Sequence, residues 1–345
     1  MIALHQSSPA RRVLQGPGAL RELRAEVDRT EMRKIVLVTS ATLARTSSLV
    51  SSAEDLLEGR HQATFAGIRE HTPENAVNQL ADLLEQVGAD GVVSLGGGSV
   101  IDGCKAAIHI RGSELVQHLA IPTTLSGAEF TSSAGVTDDS TRRKRGLSDP
   151  SAAPQRVVLD PQVTLPTPMR LWLSSGIRAL DHAVETVWAP ERDPLTQLLA
   201  LEAIRRLRQS LPETQRSPED VEMREQAQIA AWWAALGLAG NTMGPSHHLG
   251  RLLGATFGIG HGITSCVFLP ATIEHMAESD PGLVVPLQEV FGVGGADLVG
   301  TACREFIGGL GLPTSLREAG LAPQDLPRFL EMIPEGWYPI VAACA

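Results

Sequence analysis

The stretch Gly91-Val92-Val93-Ser94-Leu95-Gly96-Gly97-Gly98-Ser99 decides the fold. Its first half is a short apolar run rich in β-branched residues, the composition of a strand buried on both faces. Its second half is three glycines and a serine, and a helix is expected to follow from about Val100 to His109. Glycine lets a backbone approach a ligand closely, and the amides that open a helix attract anions. A strand, a glycine turn and a helix in that order suit a pyrophosphate. Taken alone, Gly96, Gly97, Gly98 and Ser99 read equally well as an ordinary tight turn, because neither G-x-G-x-x-G nor G-x-x-x-x-G-K-[ST] is present.

The flanks extend the pattern. Upstream, Lys34-Ile35-Val36-Leu37-Val38-Thr39 reads as a second buried strand. Thr72-Pro73-Glu74 reads as a helix N-cap with proline at the first helical position. Val77, Leu80, Ala81, Leu84 and Val87 then recur at helical spacing up to Gly88, a helix stop. Downstream, Leu119-Ala120-Ile121-Pro122 reads as a strand running into Thr123-Thr124, and Asp138 to Gly146 as a solvated, charged hairpin loop. This succession specifies a parallel sheet covered on both sides. After Asp160-Pro161 the chain turns helical, with segments at Leu198–Leu207 and at Gln226–Leu238, where Trp232 and Trp233 are expected in the core. The expected organisation is an α/β Rossmann-like N-terminal domain, residues 1–160, and an all-α C-terminal domain, residues 161–345.

Composition excludes several classes. Among 345 residues, 39 acids outweigh 29 bases, of which only Lys34, Lys105 and Lys144 are lysines, and the net charge is −10. Such a chain is a poor ligand for nucleic acid or an anionic membrane, which need concentrated positive charge. One Tyr and seven Phe offer no platform for stacking single-stranded bases. No apolar run approaches the ~18–20 residues of a membrane span. The start, Met1-Ile2-Ala3-Leu4-His5-Gln6, lacks the features of a signal peptide. Cys104, Cys266, Cys303 and Cys344 are widely spaced, which argues against a disulfide framework or zinc ribbon and for a reducing cytoplasm.

Gly-Gly-Gly-Ser-Val-Ile-Asp-Gly-Cys-Lys (96–105), Pro122-Thr123-Thr124 and a later helical His pair together resemble the iron-containing alcohol dehydrogenase family, which has a dehydroquinate-synthase-like fold. Within it, Pro122-Thr123-Thr124-Leu125-Ser126-Gly127-Ala128-Glu129 is similar to the corresponding loop of the maleylacetate reductases. The resemblance implies a nicotinamide dinucleotide, NADH or NADPH, lying across the glycine turn and the Pro122–Thr124 turn. Gly96, Gly97, Gly98, Ser99, Asp102, Thr123 and Thr124 would contact it. Ser40 stands where NAD-preferring members carry a carboxylate, so a 2′-phosphate meets no repulsion there. The resemblance also implies that Lys144 reaches the nicotinamide end, and that the protein is a homodimer joined along an N-terminal edge such as Arg11-Arg12-Val13-Leu14.

The helical half carries the other candidates. Arg178 and His182 are four residues apart and share a helix face, as do His247 and Arg251, while His261 follows a glycine-rich turn. Read alone, His182, His247 and His261 suit either a metal site or three separately hydrogen-bonded imidazoles. By resemblance, one Asp and three His hold the family's metal. The three His positions are filled here, but Arg178 stands at the Asp. A guanidinium only donates hydrogen bonds and stays charged, so it would repel a cation. Asp181 is expected on a different face. Metal is therefore expected to be absent; were one bound, His182, His247 and His261 would hold it.

Arg251 stands where relatives place a further His, and two arginines suit a small anionic carbonyl or enoate substrate. The resemblance implies reduction of maleylacetate to 3-oxoadipate, with Lys144, Arg178, His182 or His247 stabilising the developing negative charge and His247 or His261 donating the proton. Asp102 is typical of the wider family. The open alternatives are an alcohol dehydrogenase or carbonyl reductase of another pathway, a metal enzyme with an altered ligand set, and a nucleotide-binding homologue without turnover.

Overall fold

The computed structural model describes residues 8–141, 143–190, 192–239 and 243–345. The stretch Met1–Gln6, read above for a leader, and Arg142 of the charged loop lie outside the described residues. The described chain forms two units, Ser8–Thr167 and Pro168–Ala345.

In the first unit, alternation along buried strands places successive side chains on opposite faces of one sheet. β1 (Arg12–Gln15), α1 (Leu23–Asp28), β2 (Ile35–Thr39), α2 (Ala41–Thr46), α3 (Leu49–Leu56), β3 (His61–Phe65), α4 (Glu74–Val87), β4 (Gly91–Gly96), α5 (Gly98–Arg111) and β5 (Gln117–Pro122) follow in order. A hairpin, β6 (Ser133–Thr137) with β7 (Lys144–Ser148), precedes β8 (Arg156–Leu159). The main sheet is wholly parallel, in the order β1-β8-β5-β4-β2-β3. Val36, Val38 and Val92 pack with α4 and α5, whereas Ile35, Leu37, Val93 and Leu95 pack with α1 and α3. Each such burial contributes about 1.5–3 kcal/mol.

Two local expectations change. The helix after the Thr72-Pro73 pair begins at Glu74, and Thr72 is not its cap. His71 and Thr72 instead adopt left-handed φ values of 64° and 52°. Side chains rarely accept that geometry, and here hydrogen bonds hold it. The Thr72 hydroxyl donates to the Ser99 carbonyl (3.2 Å), and Thr137 Oγ1 donates to the His71 carbonyl (2.6 Å). Gly88 ends α4 at φ 61°, as its position suggests.

The second unit is helical: α6 (Met169–Trp188), α7 (Pro194–Arg216), α8 (Val221–Leu236), α9 (Pro245–Phe257), α10 (His261–Ser279), α11 (Pro281–Phe291), α12 (Val299–Gly309), α13 (Leu326–Leu330) and α14 (Tyr338–Ala342). From Trp172 to Trp188 every residue of α6 is buried. Trp232 and Trp233 are only half-buried, because Arg206 stacks over the Trp233 ring at 4.5 Å and holds it at the surface. Trp172 and Trp188 of α6 are the buried tryptophans among the described residues, and Trp172 Nε1 donates to Thr214 Oγ1 (3.1 Å) beneath the Arg224 guanidinium. All four cysteines are buried free thiols. Among the described residues, no single helix is long and apolar enough to cross a membrane.

The contact of α6 with α10 depends on a missing side chain. A Cβ at Gly262 would lie 2.6 Å from the Ser174 backbone. We therefore expect Gly262→Ala to lower stability by about 2 kcal/mol through overpacking, read by chemical denaturation; an unchanged midpoint would show that the two helices can separate freely.

Candidate active site

The glycine turn is shaped by what it touches. Added Cβ atoms would lie 2.8 Å from Val100 at Gly96, 3.0 Å from Thr124 at Gly97 and 2.8 Å from the Ser126 hydroxyl at Gly98. The Thr123 amide donates to the Gly96 carbonyl (3.0 Å), so the turn after β4 and the turn after β5 lie directly on each other. Gly98 and Ser99 begin a fourteen-residue helix, whose first amides have no intrahelical partner and favour an anion. Thr123 and Thr124 are buried beside them, and Thr167 Oγ1 donates to the Thr123 carbonyl (2.7 Å). The residues named for the pyrophosphate are thus brought together, and they fit it.

Three other candidates of this unit have additional engagements. Asp102 pairs with the Lys105 ammonium (3.0 Å) and accepts from the Gly135 amide (3.3 Å). Ser40 lies at the end of β2, where its hydroxyl caps α2 by accepting from the Leu43 amide (3.2 Å). Lys144 opens β7 half-buried, its stem lying across Gly135 of the neighbouring strand.

Lys105, which the sequence reading left without a role, is fully buried. Its ammonium donates to the carbonyls of Ala128 (2.9 Å), Thr131 (3.3 Å) and Ser133 (2.5 Å). It thereby clamps the segment that carries Ser126 and Ala128 against Gly98. Glu129 in the same segment is buried, and that burial pushes its carboxyl up to about 7.

In the helical unit, α6 presents Arg178, Asp181, His182 and Glu185, all buried. Buried charge demands partners. Arg178 Nη1 donates to Asp181 Oδ2 (3.1 Å) and to Ser265 Oγ (2.9 Å), and Ser265 in turn donates to Asp181 Oδ2 (2.6 Å). Asp181 was expected on another face. It pairs with Arg178 because residues three apart are neighbours on a helix and the arginine is long enough to reach. Arg178 Nη2 donates to His247 Nδ1 at 2.6 Å. The His182 and His247 rings lie 5.8 Å apart. Glu185 joins from below, accepting the Gly244 amide (2.9 Å) and the His247 amide (3.2 Å) and so capping α9 from another helix.

These environments set the charges. Burial, then the Arg178 charge, holds both His182 and His247 well below the usual imidazole range, so both are neutral. Burial, then Asp181, pushes Glu185 up to about 8. Burial also raises Asp181, against the pull of Arg178. Nδ1 of His182 is buried and, among the described residues, makes no hydrogen bond. His261 opens α10 half-buried, its ring against Gly254 of α9. Arg251 is exposed one turn beyond His247, and among the described residues no hydrogen bond joins it to Arg178 or His247. Among the described residues, no group of three or more His, Cys, Asp or Glu side chains is arranged to hold a metal ion.

Residues 10–161 match the family described as "Iron-containing alcohol dehydrogenase", and residues 172–333 match "Fe-containing alcohol dehydrogenase family, C-terminal". The maleylacetate reductase of Pseudomonas sp. (strain P51) is 31% identical over 95% of this chain and 90% of its own length. The chain belongs to the iron-containing alcohol dehydrogenase family, in its maleylacetate reductase subgroup. It is an NAD(P)-dependent oxidoreductase. Maleylacetate reductase 2 of Cupriavidus pinatubonensis (strain JMP 134 / LMG 1197) is 35% identical over 83% of this chain and 78% of the relative. The crystal structure of maleylacetate reductase from Rhizobium sp. strain MTP-10005 superposes with a TM-score of 0.88 at 28% identity, covering 100% of this chain and 97% of that one. The α/β and helical parts expected from the sequence are therefore those of this family's fold.

Glu185 and Ser265 escaped the sequence reading. Glu185 follows Arg178 by seven residues, two helical turns, and that spacing was the available signal. Ser265 had none, since only packing brings α10 to α6. Asp181→Asn leaves Arg178 without its buried counter-charge, and we expect it to lower stability by about 3 kcal/mol, measured by urea unfolding. Equal stability would mean that solvent, not Asp181, balances the guanidinium.

Proposed function

We propose that this protein is a metal-independent, NAD(P)H-dependent reductase of small anionic enoate or carbonyl substrates, maleylacetate being the favoured one. The observation that carries the reading is Arg178, whose guanidinium donates to His247 Nδ1 from 2.6 Å. By family position Arg178 stands where a metal-ligating Asp would, and His182, His247 and His261 stand where imidazole ligands would. The donor set does not fit a divalent cation. The Nδ1 lone pair of His247 is taken by a donor, and a permanent positive charge sits beside it. No step is therefore derived through a metal.

The nicotinamide cofactor fits the other unit. Gly96, Gly97, Gly98, Ser99, Thr123 and Thr124 would hold its pyrophosphate. Ser40, a neutral helix cap, places no carboxylate against either NADH or NADPH. When bound, the reduced nicotinamide supplies a hydride to an electron-poor substrate carbon. The chain's own part is to manage charge. Hydride addition to an enoate conjugated to a ketone leaves an enolate, and Arg178 supplies fixed positive potential for it. Arg178 Nη2 lies closer to Nδ1 of His247 (2.6 Å) than to Nε2 (3.2 Å); with Nδ1 accepting, Nε2 would carry the proton and serve as a neutral donor to the developing oxyanion. Arg251, exposed one turn along α9, would receive a carboxylate bidentately. In this reading Arg178 acts on substrate chiefly through its field and through His247, since two of its donors are already committed to Asp181 and Ser265. The same reading includes a homodimer, supported by β1 lying at the sheet edge with β8 as its sheet partner.

The test is NADH and NADPH oxidation with maleylacetate and with simple aldehydes, alongside quantification of bound iron and zinc. Stoichiometric metal that turnover requires would sink the arginine reading, and aldehyde reduction without maleylacetate activity would move the substrate to another carbonyl. Arg178→Asp is expected to lose about a hundred-fold or more in kcat/KM, the scale of one oxyanion donor, and a variant of undiminished activity would remove Arg178 from the mechanism. Because His247 is neutral well below its usual range, kcat/KM is expected to stay level from pH 8 to pH 6. A fall centred near ~6.5, the ordinary imidazole value, would show instead that an ordinary histidine controls the rate.

A further inference from the structure

On the α/β unit three guanidinium groups converge on one carboxylate. Glu26 of α1 is almost inaccessible. It accepts from Arg12 through Nε (2.7 Å) and Nη2 (2.9 Å) and from Arg156 Nη1 (3.3 Å), with Arg29 Nε at 3.5 Å. Arg156 Nη2 also donates to the Arg29 carbonyl (3.2 Å). Arg11, Arg12, Arg29 and Arg156, with Gln117 and Gln155, line a cavity of about 380 Å³. That volume lies within the range of small-molecule sites. Glu31 also borders it. Four guanidiniums against the carboxylates of Glu26 and Glu31 leave two positive charges, in a chain whose net charge is −10.

The cavity is a different place from the cofactor turn. Arg12, Gln117 and Arg156 open β1, β5 and β8, whereas the glycine turn follows the last residue of β4. In a parallel sheet strand starts and strand ends lie on opposite edges, so the two sites are on opposite edges of the sheet. Glu26 fixes Arg12 by its Nε–Nη2 edge, and among the described residues Nη1 of Arg12 and the guanidinium of Arg11 have no carboxylate partner. Arginine forks held in this way match carboxylate and phosphate oxygens.

We infer that the arginine-lined cavity at the amino ends of β1, β5 and β8 binds a small dianion bearing carboxylate or phosphate groups. The inference does not depend on the substrate or metal reading, although Arg11 and Arg12 stand on the β1 edge offered there for a homodimer, so the anion site would lie beside that edge. The test is calorimetric titration of the NADH-saturated enzyme, so that the cofactor turn is filled, with inorganic phosphate and separately with succinate at low ionic strength. The expected result is one saturable site for at least one of the two, and which anion saturates tells a phosphate ligand from a dicarboxylate. Affinity should fall about ten-fold or more in the Arg11→Ala/Arg29→Ala double variant. NADH affinity in that variant reports that the unit is folded and should not change. Arg216→Ala, at an exposed ion pair on α7, should leave anion binding as it is. The inference is overturned if neither anion saturates, if the double variant binds as tightly as the parent, or if Arg216→Ala weakens binding equally.

Discussion

A buried ion pair governs the helical unit. Helix α6 has no solvent face between Trp172 and Trp188, yet it carries Arg178, Asp181, His182 and Glu185. Placing a lone charge there would cost several kcal/mol. The Arg178–Asp181 pair makes that burial tolerable, and the Ser265 hydroxyl completes it by accepting from one and donating to the other. The pair needs α10 at a fixed distance, which Gly262 permits by lacking a Cβ. Through Nη2 the same arginine reaches α9 and adds to the burial that keeps His247 neutral. Glu185 holds the start of α9 by its two amides, and its carboxyl is pushed up by burial first and by nearby Asp181 second. The arginine–carboxylate contact thus ties α6 to α10 and to the His247 ring, while Glu185 separately caps α9.

The α/β unit solves a different problem, bringing backbone amides close to an anion without a rigid ligand to organise them. Gly97 and Gly98 lack the side chains that would hold the two turns apart, and Gly96 leaves room for Val100 of α5. Lys105 then supplies the counter-force. A fully buried ammonium saturated by carbonyls and Asp102 draws the chain after β5 against the glycine helix. In a chain with three lysines, an ammonium at this place is informative. Its three donors rotate to meet carbonyls from one strand-to-strand connection, a task for which a planar guanidinium is poorly shaped.

The fold was largely legible because its signals are local. Ile35 to Thr39 and Gly91 to Leu95 are buried in full, and only a sheet covered on both sides asks for such runs. Gly88 stops its helix for a reason contained in its own backbone. Within the candidate site, the contact of the glycine turn with Thr123 and Thr124 and the nearness of His182 to His247 follow the order of the sequence motifs. The site was not legible where the outcome turned on side-chain reach or on tertiary contacts. Asp181 was assigned to another face by counting angle per residue, but three residues on a helix bring a long side chain back to its neighbour. Thr72 carries the residue type of a helix cap and spends its hydroxyl on Ser99 instead. Trp233 looks like core by composition and is held at the surface by Arg206. Ser265 and Lys105 act through partners far away in sequence, which no periodicity encodes.

A guanidinium beside imidazoles does different chemistry from a metal-ligating carboxylate. A metal ion draws on the imidazole lone pairs and polarises a substrate oxygen directly. Arg178 occupies a lone pair of His247 as well, but with a proton, and cannot accept an oxygen ligand. What it offers a substrate is potential and an oriented neighbour. That arrangement favours a reaction whose negative charge is delocalised and already accompanied by carboxylates, where steady positive potential matters more than one strong Lewis acid. An enolate formed from an unsaturated dicarboxylate fits this description better than the alkoxide of a simple alcohol. In the function proposed above, the neutral His247 and the exposed Arg251 on α9 would be the complementary parts, one a donor for the enolate oxygen and the other a receiver for a carboxylate.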